Sequence, residues 1–454
     1  MLFISRQRLV GATNGSSTYL LDLARTVRRA GMVPHLLQPS PGVAGRWPVL
    51  SMRPEMAVFE SHRIRGLVRV GRHFAVLRPG VYLAIAAALA RRLARKLGVN
   101  AGWAADRPMP YAIAQPWSMA DHRWLRRAAR GLANGAGPHI AVADYMFCTD
   151  GFADVPGVPT AIVMHDLFHA RTGGKVDSVV AIDRGAEIAL LARADAVLAI
   201  QATEAEFLRD NLPGVATILT PMAAQPVPAA APGESGHLLF VGSNTAPNVV
   251  GLEWFCAHAW PQIRAARPGV MLDVAGTVAR GLSGKLPDGV RLLGLVDDLG
   301  PLYAQASVII SPLTFGSGLK IKLVEAMAQG KAVVATPVTV EGVEATCSAA
   351  VRVAATADQF AAAVIALDRD PAARRALAEA ARQVVADHFG AEKCHAGFAA
   401  WLAQCAGEDA GEEGDGAPGP DHPPITAPQN AAVAENRTVE PAIDDPFLVD
   451  EKFG

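Results

Sequence analysis

The chain is 454 residues long, 51% apolar and 19% charged, with a formal net charge of −1. At roughly 100–200 residues per domain, that length holds two or three domains with full cores. The composition excludes collagen-like, disulfide-rich and wholly disordered classes. The near-zero charge hides a division: 12 Asp and Glu against two basic residues lie from Gly407 onward, which leaves 40 Lys and Arg against 31 acids, a net +9, in residues 1–406. A basic body suits anionic small molecules or anionic lipid, whereas nucleic acid is set aside because no recognised binding module accompanies the charge. Cys148, Cys256, Cys347, Cys394 and Cys405 form no metal-ligand spacing and read as reduced, buried thiols of a cytosolic protein. The first eight residues carry no signal-peptide pattern, and the most apolar run, 81–90, is too short to span a bilayer. The expectation is a soluble cytoplasmic protein, with a peripheral station at the inner face of the cell membrane as an extension of it.

In chain order, strands are expected near 2–5, 33–37, 139–143, 160–164, 196–200 and 216–219, with helices over 17–30 and 178–193. Residues 61–99 contain nine Arg and Lys and no Asp or Glu. Within them, 81–97 makes an alanine-rich helix ending in Arg91, Arg92, Arg95 and Lys96. That segment reads either as a solvated basic face or as a patch for an anionic membrane surface. Four prolines in 221–236 mark an interdomain linker. Strands follow near 238–241, 271–275, 290–293, 308–311, 332–335 and 351–353. Runs such as VIIS and AVVAT, apolar on both faces, suit parallel strands covered by helices, and the alternation predicts α/β domains of doubly wound type. The expected division is 1–220 for a first domain, 221–236 for the linker, 237–390 for a second domain, a helix at 391–406 packing back on the first, and an acidic disordered tail over 407–454.

The strongest chemical signal is SPLTFGSGLKIKLVEAMAQGKAVVATPVTVEG, residues 311–342. A buried strand runs into a turn with Gly316 and Gly318, and a helix begins near Leu319. Glycines let a backbone approach a ligand closely, and free N–H groups at a helix start attract anions. Lys320 and Lys322 sit in the first turn, where cations oppose the helix dipole at about 0.3–1 kcal/mol each, a cost that a bound phosphate offsets. Glu325 lies three residues beyond Lys322 on the same face, so both reach one ligand. Read alone, this is also an ordinary solvated Lys–Glu pair.

The whole stretch resembles the sugar-nucleotide signature of glycosyltransferase family four, retaining enzymes of the GT-B fold with two facing Rossmann-like domains. FVGSNTAPNVVGLEWF, WPQIRAARPGVMLDVAG and LLGLVDDLGPLYAQASVIISPL, together most of 237–345, are similar to consecutive blocks of that family's second domain. The resemblance gives Gly316, Ser317, Gly318 and Lys322 to the diphosphate of a nucleoside-diphosphate-sugar donor, with Leu319 and Lys320 also among the donor-binding residues. It gives Glu325 to the ribose hydroxyls and places 296–299 near the base. Gly242 and Ser243 open a loop, GSNTAPN, that carries no cation where many members have Arg and Lys, so Lys320 or Lys322 supplies the charge. Ser317 stands eight residues before Glu325, where many members have a second glutamate.

RLVGATNGSSTYLLDLARTVRRAG, residues 8–31, resembles the family's first loop and helix, with Gly11 and Gly15 facing the donor; without the resemblance it is a plain β–α turn. No dinucleotide-binding or P-loop pattern accompanies it. VMHDLFHART puts His165 and Asp166 just past a buried strand, where an α/β sheet presents functional groups. The resemblance places His165 on the acceptor side near the transferred sugar, with Asp166 to orient it and Lys322 to hold the leaving diphosphate. His169 with His165 is weak evidence for metal, and no metal or other cofactor is expected. Thr203 and Glu204 fall near the cleft edge. The implied function is retaining transfer of a sugar to a hydroxyl acceptor, a glycan or lipid-linked molecule, in cell-envelope glycan, exopolysaccharide or glycolipid synthesis. A sugar-nucleotide epimerase on the same fold and a catalytically inactive scaffold are the alternatives.

Overall fold

The computed structural model describes residues 1–13, 15–44, 48–77, 79–96, 112–132, 137, 139–170, 182–227, 233–282, 286–296, 298–316 and 321–411. The chain opens with β1 (Leu2–Ile4), α1 (Gly15–Arg29), β2 (His35–Gln38), β3 (Val49–Ser51), β4 (Ser61–Ile64), β5 (Leu67–Val70), β6 (His73–Val76), α2 (Pro79–Lys96) and α3 (Met119–Arg130). It continues through β7 (Ala141–Asp144), β8 (Thr160–Val163), α4 (Arg184–Leu191), β9 (Ala196–Ala199), α5 (Ala202–Asn211) and β10 (Ala216–Leu219). The first large sheet runs β10-β9-β8-β7-β1-β2-β4, and its pairings are parallel. The strand order reverses between β1 and β7, which opens a crevice at their carboxyl ends.

The second half holds β11 (Glu234–Val241), α6 (Ala246–Trp254), α7 (Trp260–Ala266), β12 (Met271–Ala275), β13 (Val290–Gly294), α8 (Gly300–Gln305), β14 (Ala306–Ser311), α9 (Ile321–Ala328) and β15 (Ala332–Ala335). After it come α10 (Pro337–Val340), α11 (Glu344–Cys347), β16 (Val351–Val353), α12 (Ala357–Arg369), α13 (Pro371–His388), α14 (Ala391–Cys394) and α15 (Ala396–Gly411). Its six-stranded sheet, β13-β12-β11-β14-β15-β16, is parallel as well. Here the order reverses between β11 and β14. Two Rossmann-like domains with parallel sheets therefore make up the protein, as the GT-B expectation has it.

Local chemistry fixes the helix ends. In α1 the Ser17 hydroxyl accepts from Thr13 N–H at 3.0 Å, and Arg28 and Arg29 sit in the last turn, where the helix dipole favours cations. The inner face of α1, with Tyr19, Leu20, Leu23 and Val27, packs into the first core. A capping box of Ser118 and Asp121 starts α3. Between α6 and α7 the backbone runs on through a π-turn, Phe255–Ala259, just before Pro261, whose missing N–H interrupts the regular ladder.

The structure departs from the sequence reading in several places. An antiparallel sheet, β3-β6-β5, stands beside the first domain where only basic charge was read, and β4 adds an unforeseen edge strand to the large sheet. The helix expected over 178–193 begins at Arg184, because the Asp183 side chain caps it at Ala186 N–H; 178–181 lie outside the described residues. The last helix breaks at His395, giving α14 and α15, and α15 continues to Gly411. β11 begins at Glu234, inside the segment read as linker. Of the cysteines, Cys256 is only half-buried while the other four are buried, and all five are free. The tail from 412 lies outside the described residues.

Two chain crossings join the domains. Residues 221–227 lie against the second domain, with Ala224 N–H donating to Phe389 and Val227 N–H to Ala328. In return, Phe398, Leu402 and Cys405 of α15 complete the core of the first domain. No described helix is long and apolar enough to cross a membrane.

Candidate functional site

Open α/β sheets bind ligands outside the carboxyl ends of their strands, where the strand order reverses. In the second sheet a cavity of about 250 Å³ lies at that place. Phe240 and Val241 of β11 and Ile309, Ile310 and Ser311 of β14 form its floor. Ser243, Thr245, Pro247 and Asn248 of the following loop wall one side, and Ile321 and Lys322 of α9 wall the other. Two backbone approaches shape the loop. Gly276, at φ +103°, lies so near Gly242 that a Cβ there would come within 2.1 Å of the Gly242 carbonyl oxygen. A Cβ on Gly251 would stand 2.6 Å from the Pro312 carbonyl, so glycine lets α6 rest on the strand end. The Asn248 amide donates to the Ser243 carbonyl at 3.0 Å and to Thr245 Oγ1 at 3.1 Å, closing the GSNTAPN loop on itself.

Lys322 Nζ lies 2.6 Å from Glu325 Oε2, both side chains partly open to solvent. The pair sets a cavity-lining ammonium beside an acceptor-only carboxylate. Tyr303 is buried beneath it, and burial, with the Glu325 carboxylate, pushes its phenol up. Gly316, at φ +127°, faces Pro247. Ser317, Gly318, Leu319 and Lys320 lie outside the described residues. Val296 and Leu299 pack at the edge of the core beside the cavity.

From the first domain, Gly15 reaches the cavity: a Cβ there would stand 2.5 Å from Ile321 Cδ1, so α1 and α9 touch across the cleft. Gly11, at φ +150°, faces Arg53 and Glu55 instead, and Glu55 accepts from Ala12 N–H at 2.9 Å. Gly11 is not among the residues that line the cavity.

At the first sheet's reversal, the structure replaces one partner. His165 Nε2 lies 2.8 Å from Asp144 Oδ1, not against Asp166, whose Oδ1 accepts from Leu167 N–H at 2.8 Å within its own loop. Asp144 Oδ2 accepts from Ser5 Oγ at 2.6 Å and from Gln7 Nε2 at 2.7 Å. His169 bonds Glu187 at 2.6 Å, so the two histidines belong to separate pairs. Among the described residues no group of three or more His, Cys, Asp or Glu is placed to hold a metal. Glu204 is fully buried rather than at a cleft edge, and burial, with the Asp166 carboxylate, pushes its carboxyl up to about 8. Ser5, Gln7 and Asp144 were missed from sequence, although an acid ending the apolar run IAVAD was a visible signal.

Residues 235–370 match the family described as Glycosyl transferases group 1. A 111-residue stretch is 42% identical to a phosphatidyl-myo-inositol mannosyltransferase of Mycobacterium tuberculosis, covering 23% of this chain and 29% of that protein. A 117-residue stretch is 28% identical to an uncharacterized 44.6 kDa protein in the cps region of Klebsiella pneumoniae, covering 23% and 30%. The chain thus spans about 30% of the length of the curated relatives it matches. Sucrose-phosphate synthase from Thermosynechococcus elongatus has a similar fold, with a TM-score of 0.56 at 17% identity over 90% of this chain and 99% of that one. HepE from Anabaena, solved with UDP and glucose, gives 0.57 at 12% identity over 89% and 99%. These two likenesses concern the fold, and that fold is GT-B.

Proposed function

We propose, proceeding from the match of residues 235–370 to the Glycosyl transferases group 1 family, that the chain moves a sugar from a nucleoside diphosphate to a hydroxyl acceptor with retention at the anomeric carbon. The observation that carries this reading is the 250 Å³ cavity at the second sheet's reversal, lined by Lys322, with Glu325 paired to that lysine. Lys322 and the loop amides take the diphosphate, and Glu325 accepts from the ribose hydroxyls once the donor displaces its bond to Lys322. As the sugar leaves, charge gathers on the diphosphate, and a fixed cation and N–H groups stabilise it without reorganisation. The departing phosphate takes the proton of the incoming hydroxyl on the same face, so no covalent nucleophile and no metal ion enter. His165 stands on the acceptor side.

The test is thermal stability with UDP, GDP, ADP and their sugar conjugates, with and without EDTA. One nucleotide stabilises the protein, by about 2.7 kcal/mol at 100 times its dissociation constant, regardless of EDTA. Lys322→Ala and Glu325→Ala each abolish the shift. No shift with any nucleotide at millimolar concentration sinks the reading and favours an inactive scaffold. Product analysis showing an isomerised sugar nucleotide in place of free nucleoside diphosphate would favour an epimerase.

The reading includes a peripheral place on an anionic membrane at the cytoplasmic face, where a lipid-linked or envelope-glycan acceptor would be met. Residues 79–90 of α2 are uncharged and none of them is buried, with Leu83 70% and Leu89 62% exposed. Register pairs Val49 and Val68 with Ala75 and sets Val70 opposite His73, so Val49, Val68 and Val70 share the outward face of the small sheet; all three are exposed. Exposed Arg69 and Arg72 edge this surface, and no acid interrupts 61–99. Apolar anchors ringed by cations fit acidic headgroups. The protein floats with vesicles of phosphatidylglycerol and phosphatidylcholine, less with phosphatidylcholine alone, and Leu83→Glu with Leu89→Glu releases it. Flotation indifferent to anionic lipid and to both substitutions removes this part of the proposal.

A further inference from the structure

The cavity of the second sheet serves the donor and leaves the polar investment at the first sheet's reversal without a task. Asp144 ends β7 with its carboxylate fully buried. Its two oxygens take three partners, His165 Nε2 on one and Ser5 Oγ and Gln7 Nε2 on the other. The Gln7 amide is fixed in its sense. Its Oε1 accepts from Ser16 Oγ at 3.2 Å, next to the cavity-lining Gly15, and its Nε2 faces a carboxylate that only accepts when ionised.

The following residue, Tyr145, is the one described non-glycine residue at positive φ, +71°. Holding a side chain there is strained and persists only where the surroundings over-determine it. What the turn achieves is visible. The Tyr145 ring lies over the His165 imidazole with centroids 4.0 Å apart at 32°, while Tyr19 closes on it edge-on at 5.8 Å. Two consecutive residues thus grip one imidazole, a carboxylate at its edge and an aromatic ring on its face.

We propose that Asp144 and Tyr145 are positioning residues for His165. Asp144 fixes the neutral imidazole with its proton on Nε2, Tyr145 fixes the plane of the ring, and Nδ1 is the nitrogen left to accept from a ligand. Only the ligand's identity, a sugar or acceptor hydroxyl, rests on the glycosyl-transfer reading. A tautomer set by a carboxylate on one nitrogen decides what the other can do. Asp166, one residue beyond His165, accepts from Leu167 N–H within its own loop.

The experiment is a long-range proton–nitrogen NMR spectrum of the full chain labelled with ¹⁵N-histidine, with His165→Gln to assign the resonance. Wild type gives the Nε2–H tautomer at His165 once the imidazole is neutral. Asp144→Asn, which offers the ring both an amide donor and a carbonyl, abolishes that single-tautomer signature, whereas Tyr145→Phe keeps it. An Nδ1–H tautomer in the wild type overturns the proposal even if Asp144→Asn fails to fold, and so does an unchanged spectrum in a folded Asp144→Asn protein. Where transfer is measured, Asp144→Asn lowers kcat by about 100-fold, the lower end of what proton handling contributes, and leaves the donor KM in place. An unchanged kcat alongside an altered tautomer overturns the positioning role. Absence of any transfer by the wild type strikes the glycosyl-transfer reading and leaves the tautomer result standing.

Discussion

Glu204 occupies a place where a carboxylate is costly. It is fully buried in the first turn of α5; Oε2 accepts from Ile200 N–H at 3.1 Å, and Oε1 meets no hydrogen-bond donor among the described residues. Burial, with the Asp166 and Glu187 carboxylates, raises its carboxyl from the usual 4.5 to about 8. The folded state then keeps a proton that the unfolded chain has already lost. The resulting stability is complete below about pH 4.5 and drains away as pH rises through about 8. Glu204→Gln retains an acceptor for Ile200 and has nothing to ionise. Its melting temperature gains on the wild type between pH 5 and pH 8.5 and then holds a constant lead, worth on the order of a few kcal/mol; parallel melting curves across that range refute it. At this scale the sequence was a partial guide. Lys322 and Glu325, three apart on one helix, were legible together, whereas Asp144 and His165 meet only because β7 and β8 are neighbours.

Strands buried on both faces announced themselves as unbroken apolar runs, so most members of the two parallel sheets were readable within a residue or two. The β3-β6-β5 sheet was not. β5 and β6 are four residues each, read LVRV and HFAV, and lie in a stretch whose charge drew the interpretation away from its alternation. α3 was passed over although its SMAD start carries a capping box. The loop after β12 gives a sharp prediction. Gly276→Ala must hold a positive φ and drive a methyl group into the Gly242 carbonyl, so stability falls by more than about 1 kcal/mol. The GSNTAPN loop shifts with it, and nucleotide stabilisation weakens beyond the loss of melting temperature. A variant with wild-type melting and nucleotide response would show that this approach is not needed.

Over the whole molecule, the donor half was easier to read than the acceptor half because its signals are contiguous in 311–342, while the other gathers from Ser5, Gln7, Asp144 and His165. The domains meet at small contacts such as Gly15 against Ile321, yet α15 crosses completely, and Phe398 is fully buried in the core of the first domain. Phe398→Ala costs about 3–5 kcal/mol, and the loss appears at a distance in sequence. Hydrogen exchange quickens in α1 and β10, which flank α15, more than in the second sheet. Faster exchange confined to the second domain would overturn this assignment.

The same helix sets a timetable. At about 5–20 residues per second, the ribosome delivers β1 long before Phe398, so the first domain waits through the synthesis of the entire second domain for the last piece of its interior. Nascent chains arrested near residue 380 are expected to expose apolar surface in a region translated long before, and to recruit chaperones there. Order of synthesis and order of completion run in opposite directions in this protein.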